Sequence, residues 1–184
     1  MAINSSVHKV QLNVADLDQH VYGDYALTVA CHPSETDERL MVRLLAFALH
    51  AHERLEFGRG LGEQDDPDLW RRDLTGKVEQ WIEIGLPDDR RVRKACGVAD
   101  DVVVMAYGGR AAELWWGKAE PEVRRCRNLE VVVIAPATSA ALAKMAAPRM
   151  DLQYMVQDGE LWFSGGDARI TIERSWLMGG PGKR

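Results

Sequence analysis

The sequence predicts a mixed α+β (α/β) fold whose core runs helix, strand, strand, strand, helix, strand between residues 34 and 107. The first observation behind this prediction is a helix-capping sequence, Ser34-Glu35-Thr36-Asp37, ahead of apolar residues at helical spacing. The second is the alternation of residues over positions 78–85, which is typical of a strand. The third is the continuous apolar run over positions 101–107, which is typical of a buried central strand.

The remaining core elements follow from the segments between these patterns. We expect the first helix to end near Arg54, where the residues "RLEFG" predict a short strand, and Leu69 and Trp70 to form a second short strand. Leu86-Pro87-Asp88-Asp89 ends the third strand and begins a helix over residues 88–99. Its first residues are acidic, which the helix dipole favours.

Strand patterns flank the core on both sides. Residues 7–14 and 20–29 predict an N-terminal β-hairpin. Three alternating segments between residues 150 and 177 are separated by the turn signals Asp158-Gly159 and Gly165-Gly166-Asp167 and predict a C-terminal antiparallel β extension. The elements between the core and this extension are expected at residues 110–118 (helix), 129–135 (strand) and 137–146 (helix).

Length and composition are those of an ordinary globular protein, and we expect one domain over residues 1–184. No apolar run approaches the roughly 20 residues that span a bilayer, and the start "MAINSSVHKV" lacks the regions of a signal peptide. Three widely spaced cysteines include no Cys-x-x-Cys pair, which favours free thiols in a reducing compartment. The sequence therefore predicts a cytoplasmic protein with no membrane partner.

The net charge limits the modes of nucleic-acid binding. A formal charge of −5 argues against broad, non-specific adhesion to nucleic acid. It is compatible with a local basic groove, and it suits a site that binds cations.

Carboxylates of the core are the candidate catalytic groups. Metal-dependent hydrolysis of a phosphodiester needs two or three carboxylates around a hard cation and a positive charge near the phosphate. We identify Glu38 on the first helix, Asp68 on the second core strand and Glu83 on the third as candidate ligands of Mg²⁺ or Mn²⁺. Asp68, Glu83 and Lys94, which lies on the following basic helix, are the candidate catalytic residues.

Each candidate also has an ordinary structural interpretation. Glu38 suits the N-terminal turn of a helix, Asp68 lies in the acidic run "EQDDPDLW", and Lys94 lies on a charged helix face of the kind that is normally exposed. Glu83 differs, because apolar residues surround it in "QWIEIGLP". A buried glutamate generally has a partner or a functional role.

Other catalytic motifs do not occur in the sequence. There is no His-Glu-x-x-His zinc motif and no Gly-x-Ser-x-Gly elbow. The glycine-rich "GRGLGE" lacks the Lys-Ser/Thr of a phosphate-binding loop. That segment and the acidic "EQDDP" after it are therefore expected to be loops.

Several blocks of sequence, in order, resemble the YaeQ family of small bacterial proteins. The blocks are "HPSET", "ERLMVRLLA", "HERLEFGRGL", "DPDLW", "WIEIGLPDDRRVRKAC" and "RAAELWW". The resemblance extends from Asn13-Val14-Ala15-Asp16-Leu17-Asp18 to the "QDGELW" hairpin and so covers most of the chain. It implies a variant of the PD-(D/E)XK, restriction-endonuclease-like fold, whose core order α-β-β-β-α-β is the order that the patterns predict independently.

The resemblance also implies roles for the carboxylates. On the implied fold, Asp68 matches the aspartate of the second core strand and Glu83 matches the acidic residue of the third. Glu38 matches the glutamate that the first helix often supplies. Taking Glu79 as the motif acid instead places Trp81 where a lysine is expected.

One position departs from the implied motif. Two residues after Glu83, where the motif has lysine, the chain has Gly85. In some members of the superfamily the lysine lies on the neighbouring helix, and Lys94 or Arg91 is available there in this chain.

Two functional interpretations follow. In the first, the protein is a nuclease-like enzyme that uses Mg²⁺ or Mn²⁺ and acts on nucleic acid. In the second, it is a non-catalytic accessory or regulatory protein that keeps the fold without the activity. The family has been linked by name to transcription elongation, and the second interpretation therefore implies the transcription machinery as a partner.

Overall fold

The computed structural model of the protein describes residues 5–59 and 66–180. The glycine-rich and acidic loops predicted around residues 58–67 fall largely on residues 60–65, which lie outside the described residues. The helices of the described part are α1 (Asp37–Leu49), α2 (Asp89–Val98), α3 (Arg110–Val123) and α4 (Pro136–Ala143). Its strands are β1 (Ser6–Asp16), β2 (Val21–Cys31), β3 (Leu55–Phe57), β4 (Leu69–Arg72), β5 (Val78–Ile84), β6 (Ala99–Ala106), β7 (Leu129–Ile134), β8 (Arg149–Gln157), β9 (Glu160–Gly165), β10 (Ala168–Thr171) and β11 (Arg174–Met178).

The predicted order of the core elements is confirmed. From α1 to β6 the chain forms a helix, three strands, a helix and a strand. By their contacts, the residues divide into two compact units, each made of separate stretches of the chain. α1 belongs to the first unit, and the five elements from β3 to β6 belong to the second.

The first unit comprises residues 1–51, 59–66 and 137–173 and contains a five-stranded sheet in the order β10-β9-β8-β1-β2. β1 and β2 form the predicted antiparallel hairpin, and alternation along β1 buries Val10, Leu12 and Val14. β8, β9 and β10 form the predicted antiparallel extension. β8 also pairs with β1 in parallel, so hairpin and extension form one sheet.

The second unit comprises residues 52–58, 67–136 and 174–184 and contains a six-stranded sheet in the order β11-β7-β6-β5-β4-β3. β5, β6 and β7 run parallel to one another, as expected for strands joined through helices. On one face of the sheet, Trp81, Val102 and Val104 form a core with Val92 of α2 and Val123 of α3. The packing of these helices fixes the position of α2 beside β5.

Three boundaries differ from the predictions. α1 ends at Leu49 rather than near Arg54, because the chain turns at residues 50–54, where the Arg54 amide donates to Nδ1 of His52 at 3.0 Å. α3 continues to Val123 although Pro121 lies within it. A proline in the last turn removes only one hydrogen bond of the helix.

The third difference concerns the C-terminal segment. The antiparallel extension ends at β10, and β11 pairs with β7 in the other sheet. Local sequence patterns predicted the strand but not its partner.

Two further findings concern the sequence-based predictions of thiols and of membrane contact. Cys31, Cys96 and Cys126 are all free thiols, as predicted. Within residues 5–59 and 66–180, no helix has both the length and the apolar character needed to span a bilayer.

Candidate functional site

Asp68 and Glu83 lie side by side at the end of the β4–β5 pair. Leu69 is paired with Ile82, so Asp68, the residue before β4, lies beside Glu83, the residue after Ile82. The amide of Ile84 donates a hydrogen bond to Oδ2 of Asp68 at 2.7 Å. The sequence predicted Asp68 to lie on the second core strand. In the structure it lies one residue before that strand, β4.

Glu83 is held by two donors on the helix-covered face of the sheet. The side chain of Trp81 points to the same face because the two residues alternate along β5, and its Nε1 donates to Oε1 of Glu83 at 2.7 Å. Nε of Arg91 donates to the same oxygen at 2.7 Å. Glu83 is only 3% exposed, and Asp68 is 7% exposed, so both carboxylates are buried polar groups.

Arg91 reaches Glu83 because of the way α2 begins. The carboxylate of Asp88 caps the helix by accepting from the amide of Arg91 at 2.8 Å. Val92 and Ala95 are buried, which orients the first turn of α2 toward the sheet. The acidic cap therefore positions the arginine that pairs with Glu83.

The surroundings of Glu83 raise the pKa of its carboxyl. Burial raises the pKa of the Glu83 carboxyl above its ordinary value of 4.5, and the negative charge of Asp68 raises it further. The hydrogen bonds from Arg91 and Trp81 oppose this change but do not cancel it.

Gly85, two residues after Glu83, has a backbone conformation that favours glycine. Its φ is +98°, in a region that residues with a Cβ rarely adopt. Its amide donates to the carbonyl of Met105 at 2.9 Å, next to Ile84 and Met105, the last paired residues of β5 and β6. A residue with a Cβ would be strained at this strand end.

Glu38 lies in the first turn of α1, in the other unit. Its Oε1 accepts a hydrogen bond from Oγ of the buried Ser139 at 2.6 Å. Over the described parts of the chain, no three or more histidine, cysteine, aspartate or glutamate side chains are grouped to hold a metal ion. The site formed by Glu38, Asp68 and Glu83 together therefore stays a prediction.

The two candidate cations differ in position. Lys94 is exposed on α2, whereas Arg91, the alternative from the sequence, contacts Glu83 directly. Trp81 was not predicted to take part in the site. The signal was present in the alternation along β5, which places Trp81 and Glu83 on one face.

Comparison with known proteins adds family relationships to this geometry. A family model described as YaeQ protein matches residues 1–174. The chain is 45% identical over 173 residues to a Salmonella typhi protein described as "Uncharacterized protein YaeQ", covering 94% of both. It is 43% identical over 172 residues to the Escherichia coli protein of the same description, covering 94% of this chain and 95% of the other.

Solved structures agree with the computed fold. The crystal structure of a YaeQ protein from Xanthomonas axonopodis pv. citri matches with a TM-score of 0.91 and 45% identity, covering 96% of this chain and 100% of the other. The crystal structure of a YaeQ protein from Pseudomonas syringae matches with a TM-score of 0.91 and 34% identity, covering 96% and 97%. Both similarities extend over nearly the whole chain.

Proposed function

The chain belongs to the YaeQ family, and from this premise we propose that it is a nuclease-like phosphodiesterase of the bacterial cytoplasm that uses Mg²⁺ or Mn²⁺. The observation that carries the proposal is the buried pair of Asp68 and Glu83, with Arg91 bound to Glu83. Two buried carboxylates side by side, one of them (Glu83) with a raised pKa, are the kind of arrangement found at functional centres. The PD-(D/E)XK core is part of the proposal, since the order of elements and the positions of both acids agree with it.

The donor set of the site fits a divalent cation. Asp68 and Glu83 offer hard carboxylate oxygens, and Mg²⁺ is usually bound by one or two carboxylates together with water and substrate phosphates. Burial, and to a smaller extent the charge of Asp68, raise the pKa of Glu83, and a cation bound to the carboxylates would oppose both effects. Glu38 is proposed as a further ligand on the strength of the family resemblance.

The residues of the site have distinct functions in this proposal. Asp68 and Glu83 hold the ion, which, when bound, supplies a Lewis acid and lowers the pKa of a water molecule. Arg91 fixes the orientation of Glu83 and adds positive charge where negative charge develops on the phosphate. Lys94, on the same helix, is proposed to contact the phosphate from its exposed position.

The proposal is tested by nicking of supercoiled DNA and cleavage of labelled RNA with Mg²⁺ or Mn²⁺. We expect activity for the wild type and a loss of about 100-fold or more for Glu83→Gln and Asp68→Asn, because each removes a charged ligand. Glu79→Gln is the matched control. Glu79 lies on the same strand and also binds arginines, Arg54 and Arg71, yet its loss should leave activity unchanged.

Two outcomes would overturn the enzymatic proposal. The first is a wild-type protein that cleaves nothing and binds no Mn²⁺ by calorimetry. The second is activity that depends on Glu79 and not on Glu83. Comparison of Arg91→Ala with Lys94→Ala then shows which of the two cations matters more for cleavage. Because Arg91 contacts Glu83, we expect the larger loss of activity for Arg91→Ala.

A second function is favoured by a specific observation. The positive φ of Gly85 disfavours a lysine at the motif position, and a fold without that lysine suits a non-catalytic accessory protein of transcription. In that case the protein should be recovered with RNA polymerase or nucleic acid in pull-down experiments. The interaction should be insensitive to Glu83→Ala.

A further inference from the structure

We propose that Trp70 and Arg72 form a stacking platform beside the carboxylate pair, and that the platform binds a base of single-stranded nucleic acid. The inference rests on the proposed function, because it names the form of nucleic acid that the Asp68–Glu83 site receives. It adds a binding site that is chemically separate from the carboxylates.

The geometry of β4 brings the platform next to the site. Trp70 follows Asp68 by two residues, so strand alternation places these two side chains on one face of the sheet. The register of β4 and β5 shifts between Arg71 and Arg72, and the contact of the Arg72 guanidinium with the Trp70 ring places Arg72 beside them. Alternate residues of a strand are about 6.6 Å apart. The ring of Trp70 also packs edge-on against Trp81, with centroids 6.3 Å apart, and Trp81 donates to Glu83.

Trp70 and Arg72 already form a stack of the required kind. The guanidinium carbon of Arg72 lies 4.3 Å from the centroid of the Trp70 ring, which is a close cation–π contact. Trp70 is half-buried and Arg72 is exposed. Bases of single strands stack on aromatic rings and on arginine planes, so this partly exposed pair has the chemistry of a base-binding surface.

The charge on Arg72 is only weakly engaged. Its Nη2 donates to Oε2 of Glu56 at 3.2 Å, and the two side chains are 43% and 61% exposed. Exposed ion pairs of this kind contribute little, so Arg72 can exchange Glu56 for a phosphate at small cost. Arg71, which lies between Trp70 and Arg72 on β4, and Arg54, which precedes β3, both bind the carboxylate of Glu79 rather than that of Glu56.

These features favour a single strand over a duplex. A stacking platform needs a base whose face is accessible, and the bases of a duplex are stacked within the helix. Since a metal-bound phosphodiester would lie at Asp68 and Glu83, the base at Trp70 and Arg72 would belong to a neighbouring nucleotide. The substrate is thus expected to be a loop, an end or an unpaired strand.

The test measures binding of a fluorescent single-stranded oligonucleotide by anisotropy, in EDTA so that no metal takes part. We expect the wild type to bind the single strand more tightly than a hairpin duplex of the same sequence. Trp70→Ala should weaken binding by about 5- to 150-fold, which is the effect of losing one aromatic stack. Arg72→Ala should weaken it and also reduce its dependence on salt.

The chain offers a matched control. Arg169 lies over Trp162 with a distance of 4.6 Å to the ring centroid, so Trp162→Ala removes an equivalent pair from the other unit. Trp162→Ala should bind the oligonucleotide like the wild type. Because Trp70 packs against Trp81, circular dichroism should confirm the fold of Trp70→Ala, and Arg72→Ala tests the platform with less disturbance of packing.

The outcomes separate this inference from the proposed function. Equal affinity for single strand and duplex, or binding unaffected by both Trp70→Ala and Arg72→Ala, would overturn the platform, even if the protein proved to be a nuclease. Binding that depends on Trp70 and Arg72 and persists in Glu83→Gln would support the platform, even if no cleavage were found.

Discussion

In the part of the chain that the structure describes, each unit buries a carboxylate that binds arginine, and the surroundings of the two carboxylates differ. In the first unit, Glu35 is bound by Arg39 at 2.9 Å and by Arg43 at 2.8 Å. In the second unit, Asp68 and Glu83 share a neighbourhood in which Arg91 is bound to Glu83. In the first group two arginines bind one carboxylate, and in the second an arginine binds a carboxylate that has another carboxylate, Asp68, beside it.

The difference separates an ion pair that stabilises the fold from one that suits a ligand. The Glu35 side chain is fully buried, and Arg43 also donates to the carbonyl of Ala30 at 3.3 Å, joining α1 to β2. That arrangement is explained by structure alone. At Glu83, burial and the charge of the neighbouring Asp68 raise the pKa of the carboxyl, and this is the place where we propose that a cation binds.

The largest expected effect on stability is that of removing Glu35 from the first group. Glu35→Ala leaves the guanidinium of Arg43, which is 1% exposed, without its carboxylate, and should lower the free energy of unfolding by about 3–5 kcal/mol. Urea unfolding measures this change in the free energy of unfolding. Asp37→Ala, an exposed acid of the same helix, should lower it by less than about 1 kcal/mol. Equal effects of the two variants would contradict a structural function for the Glu35 group.

A smaller effect is expected at Gly85, where the second group departs from the motif. Gly85→Ala should lower the free energy of unfolding by about 1–2 kcal/mol, because φ is +98° there. Gly117→Ala is the matched control. Gly117 lies in α3 with nothing within 4 Å of an added Cβ, and alanine there should stabilise the protein by about 1 kcal/mol. Stabilisation by Gly85→Ala would contradict the backbone explanation of the missing lysine.

The smallest effect concerns the pH dependence of stability at Glu83. Because the pKa of Glu83 is higher in the folded than in the unfolded state, its favourable contribution is complete below pH 4.5. The contribution is lost as the pH rises through the folded pKa. The unfolding free energy of the wild type minus that of Glu83→Gln should therefore fall as the pH rises from 4.5 through the folded pKa of Glu83. Urea titrations at a series of pH values measure this difference. A difference that rises with pH would show that the hydrogen bonds from Arg91 and Trp81 affect the pKa of Glu83 more than burial does.

Much of the second unit could be predicted from sequence because its signals are local. The apolar neighbours of Glu83 predicted its burial, and the acidic residues after Pro87 predicted the start of α2 at its cap, Asp88. The choice between Arg91 and Lys94 was not predictable, since it depends on which side of α2 packs against the sheet. That rotation is set by tertiary contacts of Val92 and Ala95.

The first unit was less predictable for a related reason. The capping sequence was recognised, but Thr36 is the cap, with Oγ1 accepting from the Arg39 amide at 3.1 Å. Glu35, which belongs to the same capping sequence, does not cap the helix but binds Arg39 and Arg43. The parallel pairing of β8 with β1 joins residues about 140 positions apart, and no periodicity in a local window carries that information.

The division of each unit into separate stretches of chain has a consequence for biosynthesis. β11 completes the six-stranded sheet from the far end of the sequence, after the whole β8–β10 extension has been made. Until it emerges from the ribosome, β7 is an edge strand with the apolar sequence "LEVVVI". An exposed edge of this kind is prone to pair with other chains. The edge of β7 therefore stays open while the segment between β7 and β11 is made, and pairing with β11 then covers it.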